Sequence, residues 1–496
     1  MSHESMKSGR DLTRRELLLL AVAVILGAAV YLMTSALIDR IGFPLDDSWI
    51  HQTYARNLAL HGQWAFQLGH PSAGSTAPLW TLLLAPGFWL GLAPYGWTYL
   101  VGALTLFSLG WLMETAARAI LLTYRPRLPW VGLFFAAEWH FLWAAMSGME
   151  TLLDALLLTG VLILLMTGSR RYLAMGLLTG LSIWIRPDGL TLFGPVLLAI
   201  FLDGLSWKEK FNSIVRYLIG FGSLFVPYLL FNLWLSGTPM PNTFYAKQTE
   251  YVVWQSQPLL QRLGVLLVQV FNGPSIVLVP GMIGWVILSL RRRHWGSIAS
   301  VLWSGGYLYL YISRLPAYQH GRYLMPAMPI LFLSGLLGFF EFAGSHLMKR
   351  THWAAQTVWQ ISLALVTLGF VALGARAYGE DVGLIESEMV VTAQWVSRNI
   401  PPDAIVAAHD IGAMGYFDHH QLIDLAGLVS PEVIPFMRNE TRLATYLNQR
   451  GVGYLIAFPD FYPNLTRNIP VVFSSHGRFA IEAGQKNMAV YRWISP

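Results

Sequence analysis

The sequence predicts a polytopic α-helical membrane protein with about 11 spans, interfacial helices in the loop after the first span, and a small α/β domain at its C-terminal end. Three observations carry that expectation. Of 496 residues, 55% are apolar and only 12% charged, where an ordinary soluble domain carries about 25% charged residues, and mean hydropathy is +0.48. Apolar stretches of about 20 residues recur along the chain, as bilayer-spanning helices require. After residue 375 the character changes to 9 basic and 12 acidic residues with no apolar run long enough to span.

These features exclude a soluble enzyme and a disordered chain. The net charge of +6 does not indicate nucleic acid, because the cations sit in short clusters between apolar stretches, where they set orientation in the bilayer. With no cysteine, disulfides, thiolate catalysis and Cys-ligated metal centres are excluded as well.

The first stretch, Glu16 to Leu37, follows Lys7, Arg10, Arg14 and Arg15 and lacks a small-residue cleavage site. It is expected to be an uncleaved signal anchor with a cytoplasmic N-terminus. Further spans are expected near 97–122, 128–146, 150–167, 173–186, 189–203, 213–236, 274–291, 297–313, 323–343 and 354–374. The stretch Ala77–Leu92 is short and broken by Pro78, Pro86, Gly87 and Gly91, which suits a re-entrant or interfacial helix. With that assignment, 17 of the 24 Lys and Arg residues before 375 fall on the cytoplasmic side, among them Arg125, Arg127, Lys349 and Arg350. The other seven, Arg40, Arg56, Arg186, Lys247, Arg262, Arg314 and Arg322, face outward. A negatively charged ligand on the outer face would account for them. Beyond 375, strand-like runs at Ala404–Ala408, Gln421–Leu425, Gly453–Phe458 and Val471–Ser474 alternate with helical segments. The expected division is therefore a membrane domain, 1–374, and an extracytoplasmic α/β domain, 375–496.

The expected outer loops concentrate the chemistry. Phe43-Pro-Leu-Asp-Asp-Ser-Trp-Ile-His51 places Asp46 and Asp47 at the N-terminus of an interfacial helix, with His51 one turn beyond Asp47 on the same face. Adjacent carboxylates repel and need a metal, a cation or a shared proton. The plainer alternative is an Asp N-cap with a solvated neighbour. Ser147-Gly-Met-Glu150 closes the 128–146 span, with Asp154 one turn further on; a helix cap is the alternative there. Arg186-Pro-Asp188-Gly, the loop Gly237 to Lys247 with Asn242 and Tyr245, and Tyr318-Gln-His320-Gly-Arg322-Tyr323 follow on the same side. Carboxylates alternating with guanidinium and ammonium groups suit transfer to a hydroxyl from a donor whose leaving group is a phosphate.

The runs Asp46-Asp-Ser-Trp-Ile-His51, Tyr54-Ala-Arg-Asn-Leu-Ala59 and Gly74-Ser-Thr-Ala-Pro-Leu-Trp80 resemble bacterial membrane glycosyltransferases of the GT-C superfamily, in particular the terminal arabinofuranosyltransferase type. Ser147-Gly-Met-Glu150-Thr, Arg186-Pro-Asp-Gly189, Pro241-Asn-Thr-Phe-Tyr-Ala-Lys247, Gly321-Arg-Tyr323 and Asp410-Ile-Gly412 extend the similarity over most of the chain. The resemblance implies an inverting transferase in the cytoplasmic (inner) membrane that uses a polyprenyl-phosphate sugar donor. It also implies a catalytic aspartate in the first outer loop and an envelope polysaccharide, glycolipid or protein as acceptor. Carried onto this chain, it makes Asp47 the favoured base, with Asp46 and Glu150 beside it in the catalytic set. His51, Arg186, Asp188, Asn242, Tyr245, Lys247, His320, Arg322 and Tyr323 are the substrate-binding candidates. Ser48-Trp49 stands where relatives often carry Ala-Tyr, which bears on substrate shape rather than on the base.

No cofactor is demanded by these residues. A divalent ion, magnesium or manganese, bridging Asp46, Asp47 and Glu150 is an open alternative, as oligosaccharyltransferases of the superfamily use one. A flippase or transporter of lipid-linked sugars is the rival from another class, given about 11 helices and the intramembrane pair Glu138 and His140. A non-enzymatic envelope assembly protein would leave the acids unexplained. Phe417-Asp-His-His420 is expected to be a solvated turn, and Asp410-Ile-Gly-Ala-Met-Gly415 lacks the three-glycine nucleotide fingerprint.

Overall fold

The computed structural model describes residues 11–121, 124, 126–343 and 349–494. Lys7, Arg10 and Arg125, three cations expected to set orientation, lie outside the described residues, as do the side chains of Lys349 and Arg350. The first helix, Arg14–Ile38, opens on a capping box in which the Thr13 hydroxyl accepts from the Glu16 amide and the Glu16 carboxylate accepts from the Thr13 amide. Arg118, at the end of the Tyr95–Ile120 helix, bonds both Glu16 and Glu114. The first two long helices are thereby tied at one end of the bundle.

Among the described residues six helices are long and apolar enough to cross a bilayer: Arg14–Ile38, Tyr95–Ile120, Trp207–Ser236, Pro274–Arg291, Gln319–Glu341 and Thr357–Asn399. The segments expected as spans at 150–167, 173–186 and 189–203 form shorter apolar helices, Thr151–Met166, Tyr172–Ile183 and Pro187–Leu202. Another short apolar helix, Leu259–Phe271, was not expected. The Tyr172–Ile183 helix lies flush on Trp207–Ser236 because Gly176 and Gly220 present no side chain at the crossing. A Cβ on Gly176 would stand 2.1 Å from the Tyr217 carbonyl oxygen.

The span expected at 128–146 is broken. Two eight-residue helices, Trp130–Ala137 and Trp139–Met146, meet at Glu138, whose extended backbone ends the first and whose carboxylate caps the second by accepting from the amides of His140 and Phe141. The Glu138 carboxylate also sits 2.8 Å from His140 Nδ1. Ala77–Leu92 resolves into two short helices, Pro78–Leu84 and Pro86–Trp89, each opened by its proline.

The C-terminal domain is built on a five-stranded sheet of β3 (Ile405–Ala408), β4 (Gln421–Asp424), β5 (Tyr454–Ala457), β6 (Val471–Ser474) and β7 (Ala489–Arg492), in the order β4-β3-β5-β7-β6. β3 pairs in parallel with β4 and β5, and β7 antiparallel with β5 and β6. Four of these strands sit where the sequence places them, and β7 was not anticipated. Two further strands, β1 (Ala65–Gln67) and β2 (His70–Pro71), make a small hairpin after the Asp47–His61 helix. The Lys349–Ile385 helix runs through residue 375, so the expected domain boundary falls inside a helix.

The sheet's contact with the membrane half is specific. Behind β3, the short helix Gly412–Phe417 packs on the Asp47–His61 helix, which grips it at both ends. Asp46 accepts from the Gly412 and Ala413 amides at 2.7 and 2.8 Å. Arg56 donates to the carbonyls of Tyr416 and Gly415 at 2.6 and 3.2 Å. A carboxyl group thus accepts at the amide end of the helix and a cation donates at its carbonyl end. Gly412 is required by the fit, since a Cβ there would lie 1.9 Å from the Asp46 carbonyl oxygen.

Candidate active site

The Asp47–His61 helix stops at Gly62, in the left-handed conformation. Its first two carboxylates diverge. Asp46 turns to the C-terminal domain, while Asp47 turns to the membrane half, where Arg322 Nη2 donates to its Oδ2 at 2.6 Å. That nitrogen also donates to the Tyr323 hydroxyl at 2.7 Å, and Lys247 Nζ donates to the same hydroxyl at 2.8 Å. Arg322 is buried, and its Nε and Nη1 have no hydrogen-bond partner among the described residues. Asp47 keeps 36% of its side-chain surface exposed.

A second group adjoins the first. Glu150 stands 3.2 Å from His51 Nε2 and 3.1 Å from Arg186 Nη1. Arg186 Nε reaches Asp188 at 2.8 Å, and its Nη2 donates to the Tyr311 hydroxyl at 3.0 Å. Tyr307 and Tyr311 both donate to Asp188. The Tyr311 ring stacks on Tyr323, and the guanidinium carbons of Arg186 and Arg322 lie 5.2 and 4.7 Å from the Tyr323 ring centre. Asp47, His51, Glu150, Arg186, Lys247 and Arg322 line one cavity of about 30 Å³, walled further by Gly74, Thr76 and Leu428.

Burial by itself would raise the Asp47 carboxyl, but the charges of Arg322 and Lys247 hold it below its ordinary range. Asp46 is pushed up to about 7, by burial first and then by the charge of Asp410, against the pull of the two amides. Asp410 is likewise raised to about 7, by burial and by the charges of Asp47 and Glu250.

The structure corrects several expectations. Helical spacing suggested that His51 pairs with Asp47; instead its ring nitrogen faces Glu150, and Arg322 takes the place beside Asp47. Among the described residues, Asp46, Asp47 and Glu150 do not form a metal-ligand group. The reason is that amides hold Asp46, Arg322 holds Asp47, and Arg186 with His51 holds Glu150. These three residues therefore do not fit a shared divalent ion in this arrangement. His320 bonds Asp381 at 2.8 Å and is absent from the cavity lining. Asn242 ties the Leu428 and Ala73 carbonyls, joining two loops at the cavity wall, and Tyr245 packs on the Phe244 ring. Sequence reasoning missed Tyr307, Tyr311 and Leu428, which carry no local motif and reach the site only through the fold, and Asp381, which meets His320 outside the cavity.

Residues 380–491 match a family model described as a domain of unknown function, DUF8728. Over 424 residues the chain is 24% identical to the terminal β-(1→2)-arabinofuranosyltransferase of Mycobacterium tuberculosis; the match covers 76% of this chain and 65% of that protein's length. The structure superposes on ArnT from Cupriavidus metallidurans, solved bound to undecaprenyl phosphate, with a TM-score of 0.58 at 15% identity, over 95% of this chain and 97% of that one. On the mycobacterial arabinofuranosyltransferase AftD the TM-score is 0.53 at 16% identity, over 97% of this chain and 40% of that one. A helical membrane half, a C-terminal sheet domain and these superpositions together give the chain the fold of the GT-C membrane glycosyltransferases.

Proposed function

We propose that the protein is an inverting glycosyltransferase of the cytoplasmic membrane. In this reading it moves a sugar from a polyprenyl-phosphate donor to a hydroxyl of an envelope polysaccharide, glycolipid or protein at the outer face. One observation carries the reading. An accessible carboxylate, held ionised, shares a cavity with Arg322, whose Nε and Nη1 are unpartnered, and with Lys247. The names of the relatives support it, since one is an arabinofuranosyltransferase and ArnT was solved with undecaprenyl phosphate.

In this mechanism the acceptor O–H gives its proton to Asp47, whose Oδ1 makes no hydrogen bond among the described residues. The acceptor oxygen forms the new bond to the anomeric carbon while the bond from that carbon to the phosphate oxygen breaks, its electron pair leaving on the phosphate. A single displacement inverts the centre. The free edge of Arg322 and the Lys247 ammonium offer charge-assisted hydrogen bonds to the departing phosphate. Arg186, locked among Glu150, Asp188 and Tyr311, fixes the far wall and the Tyr323 ring against which both cations rest.

The test is transfer from a panel of radiolabelled polyprenyl-phosphate sugars to envelope acceptors by the purified protein. Transfer from one donor, lost in Asp47→Asn, is the expected result. Movement of donor across reconstituted bilayers with no transfer from any donor would overturn the reading in favour of a flippase.

A further inference from the structure

The segment leading into Arg322 follows an unusual backbone route. Gln319, His320 and Gly321 have φ of 53°, 57° and 69°, three successive left-handed residues of which two carry a Cβ. Side chains rarely adopt that conformation, and it persists only where the surroundings hold it. At Gly321 a left-handed residue must also fit against Gln269, whose side chain a Cβ would meet at 3.1 Å.

The turn is closed by its own backbone, with the Gly321 and Arg322 amides donating to the Tyr318 and Gln319 carbonyls, and a side-chain cluster outside the cavity adjoins it. His320 Nε2 lies 2.8 Å from Asp381 Oδ2, and Trp143 Nε1 donates to that same oxygen at 2.9 Å. The Trp139 and Trp143 rings stand edge-on to the imidazole at 5.5 and 5.4 Å. Behind them, His140 Nε2 meets the Gln269 carbonyl at 3.0 Å, and its Nδ1 is fixed by the buried Glu138. Asp381 belongs to the Lys349–Ile385 helix and Trp143 to Trp139–Met146, so two helices meet the loop at His320, two residues before Arg322. His320, Asp381 and Trp143 line no part of the cavity at Asp47.

We propose that His320 and Asp381 are positioning residues: their bond latches the left-handed loop and so aims the Arg322 guanidinium at Asp47 and at the donor phosphate. The part concerning phosphate rests on the function proposed above; the part concerning Asp47 does not. Released from Asp381, the loop relaxes toward ordinary backbone angles and carries the Arg322 main chain with it, and a guanidinium that meets Asp47 at 2.6 Å has little tolerance for that shift.

Two readouts test the latch in the full-length protein. The first is equilibrium binding of undecaprenyl phosphate. His320→Ala and Asp381→Asn are each expected to weaken it about tenfold, with no further loss when combined with Arg322→Ala. His320→Asn is expected to retain most of the affinity, because asparagine tolerates the left-handed region and its amide can donate to Asp381. The second readout needs no lipid. Infrared difference spectroscopy of the Asp47 carboxyl, with Asp47→Asn as reference, is expected to show its titration moving to higher pH in His320→Ala as Arg322 swings away. An unshifted Asp47 titration in His320→Ala overturns the latch. So does a loss that adds fully to that of Arg322→Ala, which would mean His320 meets the phosphate itself. Failure of the wild type to bind the lipid, with the Asp47 shift still present, would defeat the proposed function and leave the latch standing.

Discussion

Asp47 Oδ2 and Arg322 Nη2 stand 2.6 Å apart although 275 positions separate the two residues in the chain. The pair joins the first long loop to the loop before the Met328–Ala343 helix, and it fixes the protonation state of the carboxylate. Replacing Arg322 with Gln removes the nearest charge that holds the Asp47 carboxyl low. The acid limb of the kcat/KM profile, where Asp47 gains its proton, is therefore expected to move to higher pH, alongside weaker donor binding. A pH series of initial rates on Arg322→Gln checks both. An unmoved limb would separate Asp47 from the rate.

Asp47→Asn keeps size and shape and removes the base. General-base catalysis contributes about 10²- to 10⁴-fold, so kcat is expected to fall by a factor in that range while undecaprenyl phosphate still binds. Single-turnover transfer together with lipid binding distinguishes this from a folding defect.

The Asp46 and Asp410 carboxyls make the junction between the two halves sensitive to pH. Asp46 is pushed up to about 7 in the folded chain, above its unfolded value of about 3.9. The folded state therefore holds more protons between those values, and the stability Asp46 contributes is full below about pH 4 and lost as pH rises through 7. The C-terminal domain is expected to melt at a lower temperature at pH 8 than at pH 6, and Asp46→Asn to flatten that difference. Differential scanning fluorimetry at the two pH values is the measurement; an Asp46→Asn variant with an unchanged pH dependence would contradict the assignment.

Because Asp46, Asp47 and Glu150 are each held by other partners, the proposed transfer is expected to continue in EDTA. Activity lost to chelation and restored by magnesium or manganese would show that the three carboxylates regroup when substrate binds.

The membrane character, four of the sheet strands and the clustering of acids and bases in particular loops were legible from composition, period and turn residues. The pairings were not. Spacing along one helix brought His51 toward Asp47, yet the partner came from Arg322, because charge pairing across the fold is chosen by tertiary approach and not by helical period. The break at Glu138 escaped for a related reason: a run as apolar as Trp130 to Met146 reads as continuous helix, and the carboxylate that ends one half and caps the other looks like a lone intramembrane charge. Asp381 follows Arg376 and Glu380 just past the last expected span, one acid among several, and shows its role only beside His320.

Gly412→Ala tests the junction sterically, since the added carbon would press on the Asp46 backbone. Turnover is expected to drop with the Asp46 contact, and limited proteolysis is expected to release the C-terminal domain more readily than in the wild type.

The grip of Asp46 and Arg56 on the two ends of the Gly412–Phe417 helix ties the helix that begins with Asp47 to the sheet domain. Cutting the chain before the sheet would strip one carboxylate of its amides and one guanidinium of its carbonyls, both on the helix that begins with Asp47. The helical bundle by itself would then lack two of the contacts that fix the helix carrying Asp47. A sheet domain grafted from a relative would be accepted only if it offered a short helix with glycine at its first position and the same length between its two charged clasps.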